Sequence, residues 1–131
     1  MANPNLLAAT TAAGTTAYLT PGVTTALVLI RNAASSGQVY KINQIVAANV
    51  NGSSAVDTTV SIYTNGGVAP GSAPSGGTAY PIVSTVSVPA DASLIVADKS
   101  TAIYLMEDSS ISVTSGTASG ITYTISYEII S

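Results

Sequence analysis

Histidine, cysteine, tryptophan and phenylalanine are all missing from this 131-residue chain, and each absence closes a class of chemistry. Without histidine, the side chain that exchanges protons near pH 7 is gone, and with it the usual general base. Without cysteine there is no thiolate nucleophile, no thiolate metal site and no disulfide, which agrees with a reducing compartment. Charge is scarce as well. Charged residues make up 7% of the chain, against about 25% in an ordinary soluble domain. Arg31, Lys41 and Lys99 face six acids, for a net charge of −3. No basic patch can be assembled from three cations, so nucleic acid and anionic membrane surfaces are excluded as partners. The longest aliphatic run is Leu27-Val28-Leu29-Ile30, far short of the ~18 to 20 apolar residues of a membrane span. The opening Met1-Ala-Asn-Pro-Asn-Leu-Leu lacks the positive and apolar regions of a secretory leader. The expectation is a chain made and left in the cytoplasm.

What is present is apolar and neutral. Hydrophobic residues reach 47% and the mean hydropathy is +0.46, so the chain is not of the disordered kind. Docking a surface with so few ions strips little hydration, which suits a protein that works assembled. Its length fits one domain.

Period-two alternation runs through most of the chain, and helical spacing is nearly absent. Ile121, Tyr123, Ile125, Tyr127 and Ile129 share one face of the last strand, with Thr122, Thr124, Ser126 and Glu128 on the other. The same rule turns Val60 and Ile62 inward, and likewise Tyr80, Ile82, Val86 and Val88. Ile103 and Leu105 are expected to pair with Ile111 and Val113 across a polar turn at Glu107 to Ser110. In Val39 to Asn49, Tyr40 and Ile42 lie on one phase and Ile45 and Ala47 on the opposite phase. That slip predicts a β-bulge near Asn43-Gln44. Thr20-Pro21-Gly22-Val23 reads as a type II turn, Asn51-Gly52 as a hairpin turn, and Ser115 to Gly120 as the close of a final hairpin. About eight strands at this spacing predict an all-β fold, an antiparallel β-sandwich of jelly-roll-like form, with a closed barrel as the alternative. Residues 14–131 form the sandwich domain. Residues 1–13 form an extended N-terminal arm, in which Leu6 to Ala13 is the one place for a short helix. The Gly- and Pro-rich stretch 64–78 is too long for a tight turn, and reads either as a flexible connection between sheets or as a contact arm.

The remaining chemistry is thin. Lys99-Ser100 are adjacent, so on a strand they point to opposite faces and do not form a dyad. Glu107-Asp108 is the sole acidic cluster and lacks the alternating ligands of a Ca²⁺ loop; it reads as a solvated hairpin turn. Gly66-Gly67 and Gly76-Gly77 lead into no helix, so no phosphate loop is expected. Tyr18, Tyr63 and Tyr104 are the aromatics that could point outward for a sugar. No enzyme activity, cofactor or metal is expected. The positive signal is leftover apolar surface. Leu6 and Leu7 sit in the arm, and Leu27, Val28, Leu29 and Ile30 are apolar on both faces of one strand, which asks for cover on two sides. These six residues are the candidate interface; for Leu6 and Leu7 the alternative is folding back onto their own domain.

The tracts Tyr80-Pro-Ile-Val-Ser-Thr-Val-Ser-Val-Pro-Ala-Asp-Ala-Ser-Leu, Ile103-Tyr-Leu-Met-Glu-Asp-Ser-Ser-Ile-Ser-Val-Thr-Ser and Ile121 to Glu128 resemble small virion structural proteins of tailed bacteriophages, notably those of cyanobacteria. The resemblance spans about Val39 to Glu128. It implies a capsid decoration or cement protein, made in the host cytoplasm and located in the virion. Its partners would be itself, as a homo-oligomer of which a trimer is one form, and a major capsid or neck protein. A head–tail connector, neck or tail protein is the alternative, and a glycan- or receptor-binding sandwich the second.

Overall fold

The computed structural model describes residues 4–131, and among them there are nine β-strands, one turn of 3-10 helix and no α-helix. The strands are β1 (Ala12–Leu19), β2 (Leu27–Asn32), β3 (Val39–Asn49), β4 (Val56–Tyr63), β5 (Ala79–Val88), β6 (Ser93–Ala97), β7 (Ile103–Leu105), β8 (Ser109–Ser115) and β9 (Ile121–Ile130). One sheet, here sheet A, has the order β1-β9-β3-β6, with the short β7 beside β3 next to β6; sheet B has the order β2-β8-β4-β5. All pairings are antiparallel. First pairs with last, second with second-last, and so inward to the β4–β5 pair. That nesting is a jelly roll.

Alternation produces the core. Ile121, Tyr123 and Ile125 of β9 and Ile42, Ile45 and Ala47 of β3 face Val56 and Val60 of β4 and Ile111 and Val113 of β8, all buried in one cluster. The phase slip in β3 is a real bulge: the β3–β9 register shifts between Ile42 and Gln44. It keeps both Ile42 and Ile45 in the core, where strict alternation would have turned one of them out.

Local turn chemistry misleads about partners. Asn51-Gly52 does not close a hairpin, because β3 and β4 lie in different sheets. Asn51 instead accepts from the Ser53 and Ser54 amides (3.0 and 3.3 Å) in a crossover between layers. Ser115 to Gly120 likewise carries the chain from β8 in sheet B to β9 in sheet A. Ile103 and Leu105 pair with Ile42 and Tyr40 of β3, not with β8. Gly22 does not take positive φ, so the type II turn expected at Pro21-Gly22 is not formed.

The arm is shorter than expected. Pairing begins at Ala12, opposite Ile130, and Leu6 to Ala8 form a turn rather than a helix. Residues 1–3 of the expected arm lie outside the described residues.

Candidate interaction surface

The stretch 64–78 joins neighbouring strands of one sheet, β4 and β5, rather than two sheets. It folds back across the outside of sheet B. Ser110 Oγ donates to the Asn65 carbonyl (3.0 Å), the Gly77 amide donates to Tyr63 Oη (2.9 Å), and the Gly66 amide donates to Asp108 Oδ1 (3.1 Å). At its far reach it meets the free side of β2: the Val28 amide donates to Ser72 (2.9 Å), and the Gly71 amide donates to Val28 (2.8 Å). Arg31 adds a hydrogen bond to the Gly67 carbonyl at 3.2 Å.

This cover answers the demand of β2. A register shift between Val28 and Ile30 makes Leu29 a bulge, so Leu29 and Ile30 both enter the core. Val28 lies outside that core cluster yet is fully buried, with the loop bonded to its backbone. Val28, Leu29 and Ile30 are therefore not an interface for a neighbour, and Leu27 is half-buried. The expectation fails because a β4–β5 loop supplies the second cover. Leu6 and Leu7 remain exposed, Leu7 at 97%.

The polar candidates separate in space. Lys99 and Ser100 lie in the 3-10 turn, where Asp98 accepts from the Ser100 amide (2.9 Å) and hydroxyl (2.5 Å). The bonds from Ser100 hold the Asp98 carboxyl below its ordinary range. All three are solvent-exposed, so the hydroxyl and the amine are not enclosed in a site. Glu107-Asp108 is no solvated hairpin turn: Glu107 is buried, and Asp108 anchors Gly66 from a left-handed conformation (φ 57°). Among the described residues no cluster of three acids could hold a metal. Tyr63 is buried rather than outward.

The surface that does stand open is the outer face of sheet A. Register alone places Tyr18, Thr124, Val46 and Ile95 in one row across four strands. Tyr18 is 78% and Ile95 58% exposed. The next row is Thr16, Ser126 and Gln44, and the one beyond it Gly14, Glu128, Lys41 and Tyr104. Lys41 and Glu128 sit directly opposite each other, so the charges in these rows are a single matched pair. Leu6 and residues 9–12 border a groove with Lys41, Tyr104, Glu128 and Ile130, which brings the N-terminal segment to this same face. The sequence pattern carried this signal in the polar phase of β9 and β3, where Thr, Ser, Val and Ala stand in place of the usual Lys and Glu.

Compared with known proteins, the chain matches no family model, no curated protein and no solved structure.

Proposed function

We propose that this chain is a non-enzymatic structural component of a phage virion, a decoration protein that braces a capsid shell. The single observation that supports the reading is the outer face of sheet A, where exposed apolar side chains and neutral Ser and Thr surround the facing Lys41 and Glu128, with Asp98 and Lys99 at its border beside Gln44 and Ser126. Each Leu or Ile buried on docking contributes about 1.5 to 3 kcal/mol relative to exposure. Repetition over a lattice then adds avidity without new contacts. Leu6 borders the same surface, and the neighbouring Leu7 is exposed. The resemblance of the β5 to β9 tracts to tailed-phage virion proteins supports the same reading; a jelly roll by itself does not name a function.

The glycan-binding alternative lacks a stacking platform. Tyr18 and Tyr104 share the outer face of sheet A but stand three strands and two rows apart, about 20 Å at ~4.8 Å per strand and ~3.4 Å per residue. Catalysis is disfavoured by the exposure of Lys99 and Ser100.

The test is co-sedimentation of the purified chain with phage capsids stripped of accessory proteins. The expected result is saturable binding at a stoichiometry that scales with capsomers, lost in Ile95→Lys. Saturation at a single ring per particle would assign the chain to the head–tail neck instead. Absence of binding to heads would overturn the reading.

A further inference from the structure

A jelly roll leaves four sheet edges, and each unpaired edge is a template for another strand. Three of the four are obstructed here, each by a different device. The edge of β2 is occupied by Gly71 and Ser72 of the long loop. The edge of β5 carries Pro81, two register shifts against β4, and Thr85 at φ 50°, whose amide turns inward to Thr59 Oγ1 (2.9 Å). The edge formed by β6 and β7 is broken by the 3-10 turn with Asp98 and Lys99 at its start.

β1 has none of these protections. Its eight residues, Ala-Ala-Gly-Thr-Thr-Ala-Tyr-Leu, contain no proline and no charge, and their register against β9 is unbroken. Which backbone groups it offers follows from alternation. Thr11 and Ser131 exchange both backbone hydrogen bonds (3.1 and 3.0 Å). Antiparallel pairs alternate, so Ala13, Thr15, Ala17 and Leu19 also bond to β9, while Ala12, Gly14, Thr16 and Tyr18 point their amides and carbonyls away from the sheet. No backbone partner outside β9 meets those four residues among the described residues.

We infer that β1 is the pairing edge of a twofold homodimer, in which it lies antiparallel to β1 of a second copy and joins the two A sheets into one. The spacing of the four outward residues selects the register. An axis through Thr15 matches Ala12 with Tyr18 and Gly14 with Thr16, so all four outward positions on both strands bond, about eight hydrogen bonds in all. The pairing is self-complementary in shape: Tyr18 lies beside Ala12 and Thr16 beside Gly14, a large residue against a small one each time. No charge opposes its own copy, because the strand has none. These features single out a second copy over a foreign strand. Two identical strands paired this way form a closed, isologous contact, so the threefold assembly expected from the sequence would need a different surface. The inference rests on the self-association part of the proposed function and is separable from its shell-binding part.

The experiment is sedimentation velocity of the full chain over a concentration series, with amide exchange by NMR at the two ends of the series. The expected result is a monomer–dimer equilibrium in which the Gly14, Thr16 and Tyr18 amides gain protection with concentration while those of Thr15, Ala17 and Leu19 do not change. Gly14→Pro removes an outward amide at a position with open space and no side-chain bond to lose, so it weakens the dimer at least tenfold and leaves the melting temperature in place in dilute, monomeric solution; Thr15→Pro breaks the β9 ladder and lowers it. A wild-type chain that stays monomeric throughout overturns the inference. So does a dimer in which outward and inward amides respond alike. Shell binding by a monomer would retain the decoration reading without the dimer, and a dimer without shell binding would do the reverse.

Discussion

Two asparagines and one tyrosine hold the layers together by means no hydrophobic pattern reveals. Asn32 ends β2 and Asn49 ends β3, and both are buried. Asn49 Nδ2 donates to the Ser54 and Val88 carbonyls (3.0 and 2.8 Å), and its Oδ1 accepts from the Asn51 amide at 2.8 Å. Asn32 Nδ2 likewise donates to Gln38 and Leu105 (2.9 and 3.1 Å). Each thus pins a crossover to the end of a distant strand. Asn49→Ala strands the buried Val88 carbonyl, and the expected loss is about 1–3 kcal/mol by urea unfolding; no loss would mean that water takes its place. Tyr123 reaches from sheet A into sheet B. Its hydroxyl donates to the Thr114 carbonyl (2.7 Å), which leaves the Thr58 hydroxyl to donate to it. Burial pushes the phenol up to about 12, against an ordinary 10.0. Because the folded state holds the proton more tightly, its contribution is complete below pH 10 and is lost as pH rises toward 12. Stability should therefore fall across that window in an alkaline unfolding series, and Tyr123→Phe should remove that part of the fall.

At the scale of elements, the loop over sheet B is the part with the sharpest steric demand. A Cβ on Gly66 would stand 2.2 Å from the Asn32 carbonyl oxygen, so Gly66→Ala must displace backbone. The expected cost is about 1–3 kcal/mol, with faster exchange of the Val28 amide as the loop lifts from β2. Gly22 has open space and no positive φ, so Gly22→Ala is expected to be neutral or slightly stabilising. Equal effects of the two substitutions in thermal unfolding would contradict the tight seating of the loop. Sequence reasoning located the β3 bulge because a slip in alternation can be read from Ile42 and Ile45 alone. It misassigned the turns at Asn51-Gly52 and Ser115 to Gly120 because Asn-Gly and Gly-rich signals report local chain reversal, not the sheet the next strand enters. The demand of Leu27 to Ile30 for double cover was also legible, but its supplier was not, since residues 64–78 carry no pattern that names a target.

For the whole molecule, the surface proposed for assembly is separate from the residues that stabilise the fold. Leu7 and Ile95 are exposed, so Leu7→Ser and Ile95→Lys should change unfolding free energy by less than about 0.5 kcal/mol, while capsid co-sedimentation falls. A large loss of stability in either variant would show that the residue packs within its own domain. The polar phase of sheet A is the candidate surface for a reason visible in β3 and β9: Val46, Ala48, Thr122 and Thr124 occupy positions where a solvated sheet normally carries charge. That much was open to a reader of the sequence. The row formed with Tyr18 and Ile95 was not, since it depends on β1 and β6 flanking the β9–β3 pair.

The linear order of residues determined the class of fold, the inward faces of β3, β4 and β9, the bulge in β3 and the poverty of reactive groups, because all of these follow from period-two spacing and composition; it failed in β5, where Tyr80 was expected inward and is 61% exposed beyond two register shifts. The folded chain decided which strands are neighbours, which edge stays open and which apolar run is already covered. Those depend on pairings between segments tens of residues apart, and local propensity carries no energy for one such pairing over another until the layers pack.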